Sequence, residues 1–590
     1  MHPWYKSVQH RAVVPDEVTR CHVKSVSPET RFSNSCSPGD NPLNRSSALP
    51  VGVPYPDPTT HATSGVSDAV STFGLFVTPT VENIVLEMTN LEGRRKYGDG
   101  WKGMDATDLR AYVGLLILAG MYRSRGEAAA SLWDAESGRA IFRATMPLKV
   151  FHTYSRLLRF DDRETRHERR ASDKLAAVRE VWDAWAARLP LLYNTGPEVT
   201  VDEQLVPFRG RCPFRQYMPS KPAKYGIKSW VACDARSSYA WKMQVYTGKP
   251  SGGRPERNLG LRVVLDLTEG LSGRNVTCDN YFTSYELARQ LLERNVTVVG
   301  TVRKNKPELP PRLLAVKGRA AFSSVFAFTP AATLVSYVPR KKNRNVVLLS
   351  TRHSEADVSY RADGKPVVVL DYNRNKGGVD NLDKVIGTYS CRRMTARWPL
   401  VVFHNILDVS SYNAFVIWRE VNPDWMPGKR KKRRVFLEWL GKALVAPYIA
   451  RRERVPRTEA SAAVVKAVKV AAAAAAAAEQ RDDDSDRDDA RPERPAAPPA
   501  LVPQRQEQRQ QQRQQQQQSQ GPASSLALAV AAAAAPLAAK QARGHDAGNR
   551  TGPAPRVSGS RGRRWERRSS TRAAAQAPQR EPSGLRDQGR

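Results

Sequence analysis

The stretch Glu198-Val-Thr-Val-Asp-Glu-Gln-Leu-Val-Pro207 decides the fold. Upstream of it, apolar residues recur at helical spacing. Within it they alternate, so that Val199, Val201 and Leu205 bracket Asp202 as a half-buried strand would. The chain changes from helical to sheet texture here, with an acidic side chain on the first strand.

On the N-terminal side, Thr107 and Asp108 offer an N-cap before Leu109, Tyr112, Val113, Leu116 and Ile117. Helical periods recur through 151–160 and 174–192. On the C-terminal side, strand-like runs cover 225–233 and 239–246, and a helix-like stretch covers 256–267. A strand at 275–278 ends on Asp279, a helix follows at 284–293, and another strand lies at 296–302. Short β runs at 323–328, 333–338 and 345–350, separated by proline and basic loops, read as a small β insert. A strand is then expected at 367–372, a helix at 379–389 after Gly377-Gly378, and a last helical region from 400 to about 448. This order builds an α/β fold on a mixed sheet, with the strand before Asp279 beside the strand of Asp202, as in the ribonuclease-H-like arrangement.

The chain has 590 residues, with 93 Lys+Arg against 58 Asp+Glu and a formal net charge of +35. A surface this basic attracts polyanions, and release of their counterions makes nucleic acid the favoured partner. Six cysteines (Cys21, Cys36, Cys212, Cys233, Cys278, Cys391) show no paired short spacing, so neither a disulfide framework nor a C-x-x-C zinc site is expected. No secretory signal opens the chain, and the longest apolar run, 526–539, is short, mostly alanine and broken by Pro536. No membrane span is therefore expected, and an intracellular location is. Residues 1–70 read as a disordered leader, and 451–590 as a low-complexity disordered tail with an alanine run at 471–478 and a Gln/Arg tract at 504–518.

Asp202, Asp279 and Asp380 come from two neighbouring strands and the first turn of a helix, a placement that allows convergence on one patch. Hard oxygen ligands of this kind hold Mg²⁺ or Mn²⁺ and leave positions for phosphate and water. Two such ions activate the attacking oxygen and stabilise the leaving one in phosphodiester transfer. Asp383 falls one helical turn after Asp380, on the same face. Taken singly, each has a plainer reading, as a turn, cap or helix-dipole residue.

The flanks of these aspartates carry a resemblance. The run from Thr200 to Lys228, Thr277-Cys-Asp-Asn-Tyr-Phe-Thr-Ser284, Val299-Gly-Thr-Val-Arg303, Asn375-Lys-Gly-Gly-Val-Asp-Asn-Leu-Asp383 and Arg397-Trp-Pro399 together resemble the piggyBac transposase family, over about 70–450. The resemblance implies that Asp202, Asp279 and Asp380 are catalytic metal ligands, assisted by Asp383. It further implies nicking by water, attack of the freed 3′-hydroxyl to form a hairpin on a TTAA overhang, and rejoining at a new TTAA site. The implied domains are a helical dimerisation and DNA-binding part (71–197 and 391–450), a catalytic core (198–304 and 367–390) and the β insert at 305–366. A homodimer on double-stranded DNA is the implied assembly.

Arg209, Arg211, Arg215, Lys221, Lys224 and Lys228, interleaved with Phe208, Phe214, Tyr217 and Tyr225, suit phosphate contacts and base stacking beside Asp202. The plainer alternative is a solvated basic loop whose aromatics face the core. Trp398, next to Arg397, resembles the family tryptophan placed near flanking target DNA, with a core tryptophan as the competing reading. Lys429, Arg430, Lys431, Lys432, Arg433 and Arg434 read as a nuclear localisation signal, a DNA-backbone contact or both, and the expected location is the nucleus. No cysteine follows Cys391, so the Cys/His-rich zinc module that ends many family members is not expected, and neither is zinc. Two functions follow: a metal-dependent cut-and-paste transposase, or a domesticated nuclear DNA-binding protein that does not cut. A hydrolytic nuclease is a third, which the family motifs disfavour.

Overall fold

In chain order the strands are β1 (Val23–Val26), β2 (Asp57–Pro58), β3 (Tyr193–Asn194), β4 (Glu198–Pro207), β5 (Gln216–Tyr217) and β6 (Tyr225–Asp234). After these come β7 (Ala240–Val245), β8 (Arg274–Cys278), β9 (Val296–Thr301), β10 (Ser324–Phe328), β11 (Thr333–Tyr337) and β12 (Val346–Ser350). They belong to a computed structural model that describes residues 23–26, 55–249, 256–340 and 344–488, all within one unit, Met1–Pro536.

Ten strands form one mixed sheet in the order β1-β10-β11-β12-β9-β8-β4-β6-β5, with β7 also paired to β6. β8 runs parallel to both β4 and β9, whereas β6 is antiparallel to β4. The parallel centre is buried on both faces, as such strands require: Asn275, Val276, Thr277 and Cys278 are all at most 2% exposed. β2 and β3 make a separate two-stranded ribbon.

The helices that position the site are α1 (Ala106–Met121), α2 (Leu148–Leu157), α3 (Leu259–Leu267), α4 (Tyr285–Glu293), α5 (Val367–Asn375), α6 (Gly378–Thr388), α7 (Trp398–Val421), α8 (Lys432–Ala450) and α9 (Glu459–Asp488). α1 and α8 pack against each other, and both are largely buried. α7 is inserted in the core, where Ser410 accepts a 2.9 Å hydrogen bond from Trp185 Nε1.

Several expectations are corrected. The run at 367–372 is helix, not strand. Pro366 supplies the extended residue just outside the first turn, and Val368, Val369 and Tyr372 turn at helical spacing onto a cluster with Val299, Phe326, Val335 and Leu348. β-branched composition alone loses to that packing. The short β runs of the insert do form strands, but β12 pairs antiparallel with β9 (Leu348↔Thr301), so they extend the central sheet. The N-cap of α1 is Asp105, which shares a capping box with Asp108.

The leader and tail are more structured than composition implied. Val23–Val26 pairs with β10, Asp57–Pro58 pairs with β3, and Thr59 caps the short helix Thr60–Ser64. After Arg451, α9 buries Ser461, Val465 and Val468, an i, i+4, i+7 stripe that needs no aromatic residue. The Gln/Arg tract at 504–518 and the apolar run at 526–539 lie outside the described residues, as do Cys21 and Cys36. Cys212, Cys233, Cys278 and Cys391 are unpaired.

Among the described residues, two helical segments are long and apolar enough to cross a membrane by length and composition alone. Trp398–Val421 is 89% buried within the fold, which accounts for its composition, while Glu459–Ala477 is alanine-rich and 17% buried.

Candidate active site

β4 and β8 lie side by side in parallel register, Val201 opposite Cys278. Asp202 is the next residue of β4 and Asp279 the residue just past the end of β8, so two carboxylate-bearing positions adjoin at the sheet centre. Asp279 is the last residue before a turn that it stabilises. Its Oδ1 accepts from the Tyr281 amide at 2.8 Å, and its carbonyl accepts from Thr283 Oγ1 at 2.8 Å.

α6 brings in the other two aspartates. It can approach β4 because Gly378 has no side chain: a Cβ there would lie 2.6 Å from Thr200 Oγ1. Thr200 in turn donates to the Asn375 carbonyl at 2.6 Å, tying the end of α5 to β4. From this position Asp383 accepts a 2.9 Å hydrogen bond from Gln204 Nε2. Asp380, 68% exposed at the side chain, instead pairs with Lys221 Nζ at 3.1 Å.

The electrostatics show a cluster short of positive charge. Burial pushes the Asp202 carboxyl up to about 7; the charges of Glu203 and Asp279 add to the effect, and the Glu203 amide and Lys221 oppose it. Burial likewise pushes Asp383 up to about 6, with Asp380 adding and Gln204 and Lys221 opposing. Lys221 experiences the converse. Its burial favours the neutral amine, yet the carboxylates of Asp202, Asp380 and Asp383 outweigh it and hold the ammonium form. Lys228 is lowered, by burial first, despite Glu203, Asp202 and Asp279. Its Nζ sits 3.8 Å from Glu203 and over the rings of Trp230 and Tyr281.

The donor chemistry fits a hard divalent cation: the Asp202 and Asp383 carboxyls, raised by burial first and then by the charges beside them, are oxygen ligands that a dication satisfies. Convergence is looser than expected from the sequence. Among the described residues, no three His, Cys, Asp or Glu side chains come together as a metal-holding group. Asp202, Asp380 and Asp383 are gathered around Lys221, while Asp279 acts on Asp202 from the end of β8.

The basic candidates divide by environment. Arg209, Arg211 and Lys224 are exposed beside the site. Arg215 is exposed but spans the carbonyls of Arg209 and Gly210 and lies over Tyr225. Lys221 and Lys228 belong to the carboxylate cluster. Phe208 and Phe214 are core residues, whereas Tyr217 and Tyr225 are exposed, with ring centroids 4.8 Å apart and planes tilted by 40°. Arg397 is engaged internally, donating to the carbonyls of Ser155, Arg156 and Leu158 at the end of α2, and burial lowers it to about 10. Trp398 packs edge-on against Phe214 at 5.0 Å and lines a cavity of about 590 Å³ with Arg166, Arg170, Lys174, Arg211 and Arg215.

The basic hexamer is half folded. Lys429, Arg430 and Lys431 are exposed, Lys432 opens α8, Arg433 lies over Tyr389 and Tyr412, and Arg434 pairs with Glu438 at 3.6 Å. Three further groups in the groove of about 910 Å³ beside Asp380 and Asp383 carry no signal in the sequence: Gln204, Asn405 and His404. Gln204 sat within the quoted motif, but its partners are about 180 and 200 residues away, a relation one sequence does not display.

Residues 68–415 match the family model described as Transposase IS4. The human PiggyBac transposable element-derived protein 3 is 22% identical over 392 residues, covering 62% of this chain. The human PiggyBac transposable element-derived protein 2 is 23% identical over 382 residues, covering 59% of this chain. The chain spans a little under two thirds of the length of these relatives, 64% and 61%. Among solved structures, the piggyBac transposase in its synaptic complex with hairpin DNA is similar at a TM-score of 0.64 and 32% identity, over 69% of this chain and 86% of that one.

Proposed function

Because the chain belongs to the DDE-type Transposase IS4 family, in its piggyBac branch, we propose that it is a DNA transposase that cuts and rejoins DNA at TTAA sites. In this reading Asp202, Asp279, Asp380 and Asp383 hold Mg²⁺ or Mn²⁺. The observation that carries it is the adjacency of Asp202, midway along β4, and Asp279, just past the end of the parallel β8, with α6 set against β4 to bring Asp383 in. A bound divalent ion supplies Lewis-acid stabilisation of the charge that develops at phosphorus. The chain's own residues do the rest. Arg209, Arg211 and Lys224 attract the phosphate backbone, which fixes register without reading sequence. Exposed Tyr217 offers a stacking surface for an unpaired base. Lys221 and Lys228 offset the repulsion between the acid cluster and an incoming phosphate. A homodimer and a nuclear location, with Lys429–Lys431 as the exposed part of the import signal, complete the proposal.

A second reading, a DNA-binding protein that no longer cuts, is favoured by one observation: Lys221 rather than a third carboxylate is Asp380's close partner. Incubation with Mg²⁺ and a labelled transposon-end duplex carrying TTAA separates the two. Nicks and hairpins that disappear in Asp279→Ala are expected. Tight binding without cleavage, where a related transposase cuts, would leave the second reading.

A further inference from the structure

Gln204 follows Asp202 by two residues on β4, so the two share a face of the sheet. It is 1% exposed, and both ends of its amide are occupied. Nε2 donates to Asp383 Oδ1 at 2.9 Å, and Oε1 accepts from Asn405 Nδ2 at 3.0 Å. Asn405 is 6% exposed and sits on α7, the helix that begins at Trp398. Three side chains from a strand and two helices thus form one hydrogen-bonded line ending at a carboxylate.

The polarity of that line is set by chemistry. An ionised carboxylate only accepts, so Gln204 faces it with the NH₂ group, which leaves the carbonyl for Asn405, which then offers its own NH₂. A reversed amide would put oxygen against oxygen. Because Gln204 and Asn405 are buried and each has a protein partner, the half-buried Asp383 carboxylate is oriented from behind by the protein.

We propose that Gln204, held by Asn405, is a positioning residue that fixes the Asp383 carboxylate for a divalent cation and couples α7 to the metal site. The inference rests on reading the four aspartates as metal ligands. Groups that orient a ligand without touching the ion influence affinity strongly, by about 10–100-fold when removed. Asn405→Asp is the most informative change. It keeps shape and packing but replaces a donor with an acceptor, so the Gln204 amide reverses and presents its oxygen to Asp383.

The test is Mn²⁺ binding to the full-length protein by electron paramagnetic resonance, alongside the Mg²⁺ dependence of cleavage of a labelled transposon-end duplex. Gln204→Leu and Asn405→Asp are each expected to weaken Mn²⁺ binding by about tenfold or more. Binding of the duplex in EDTA should stay unchanged. If wild-type protein binds Mn²⁺ and folded variants bind it equally well, the positioning role is overturned while the metal reading stands. If wild-type protein binds no Mn²⁺, the metal reading falls and takes this inference with it. Should Gln204→Leu fail to fold, the isosteric Asn405→Asp decides.

Discussion

Gly378 lies so close to Thr200 that a Cβ added to the glycine would stand 2.6 Å from Thr200 Oγ1 and 2.9 Å from its Cβ. That contact is the hinge of the site, because α6 carries Asp380 and Asp383 and β4 carries Asp202. In a free helix, Gly→Ala gains about 1 kcal/mol. Here the clash involves a β-branched side chain fixed by its bond to the Asn375 carbonyl, so overpacking wins. Gly378→Ala should lower stability to urea by about 1–3 kcal/mol and abolish cleavage. A variant as stable and active as wild type would show that the helix has room to move.

Removal of Lys221 tests its part as a counter-ion. With Lys221→Met, Asp202 and Asp383 lose the cation that holds their pKa values down, and Asp380 loses its 3.1 Å partner. The cluster becomes more negative, so Mn²⁺ titration should show tighter binding, by about a few-fold. Weaker binding would assign Lys221 a different role.

His404 gives the chain a pH dependence. Burial lowers its pKa to about 3, helped by Arg392, Arg393 and Arg397, and neither ring nitrogen has a hydrogen-bond partner. The unfolded chain takes up this proton near pH 6.5 and the folded protein does not until near 3. The neutral ring's contribution is therefore fully present above 6.5 and is lost as pH falls through that window. His404→Leu should flatten the stability profile between pH 6.5 and 4, measured by thermal melting, and cost nothing at pH 7.5. An unchanged acid slope would place the titrating group elsewhere.

Arg397 separates structure from DNA contact. Arg397→Ala leaves the Ser155 carbonyl at the end of α2 without a donor and takes one of two donors from the carbonyls of Arg156 and Leu158, which Arg159 also serves; this should cost about 1–3 kcal/mol. Arg397→Lys should recover part of it. The salt dependence of DNA binding should not change. A phosphate contact would instead reduce the salt slope by about one and leave stability alone.

Much of this was legible in the sequence. Alternation around Asp202 gave β4, the short apolar run before Asp279 gave β8, and the neighbouring elements made these two strands adjacent. Local pattern misled at 367–372, where valines read as strand and packing against Val299 and Phe326 imposed helix. Composition misled at Ser461, Val465 and Val468, because low aromatic content does not prevent a narrow stripe from docking. Protein partners were not legible at Lys221, Lys228 and Arg397: a basic residue near an active site reads as a phosphate contact, and only the fold shows which of them also face carboxylates or helix ends. The Asn405–Gln204–Asp383 line was invisible because nothing in one chain marks which distant polar residues share a buried bond.

The pairing of Val23–Val26 with β10 bears on how the protein is handled. β10 would otherwise end the sheet with an open row of amides and carbonyls, a template on which another chain can add a strand. Because β1 is itself the last strand, versions trimmed past residue 26 move the open edge from the four-residue β1 to the five-residue β10. Residues 23–26 thus set which backbone row the sheet presents at that end, far along it from the chemistry.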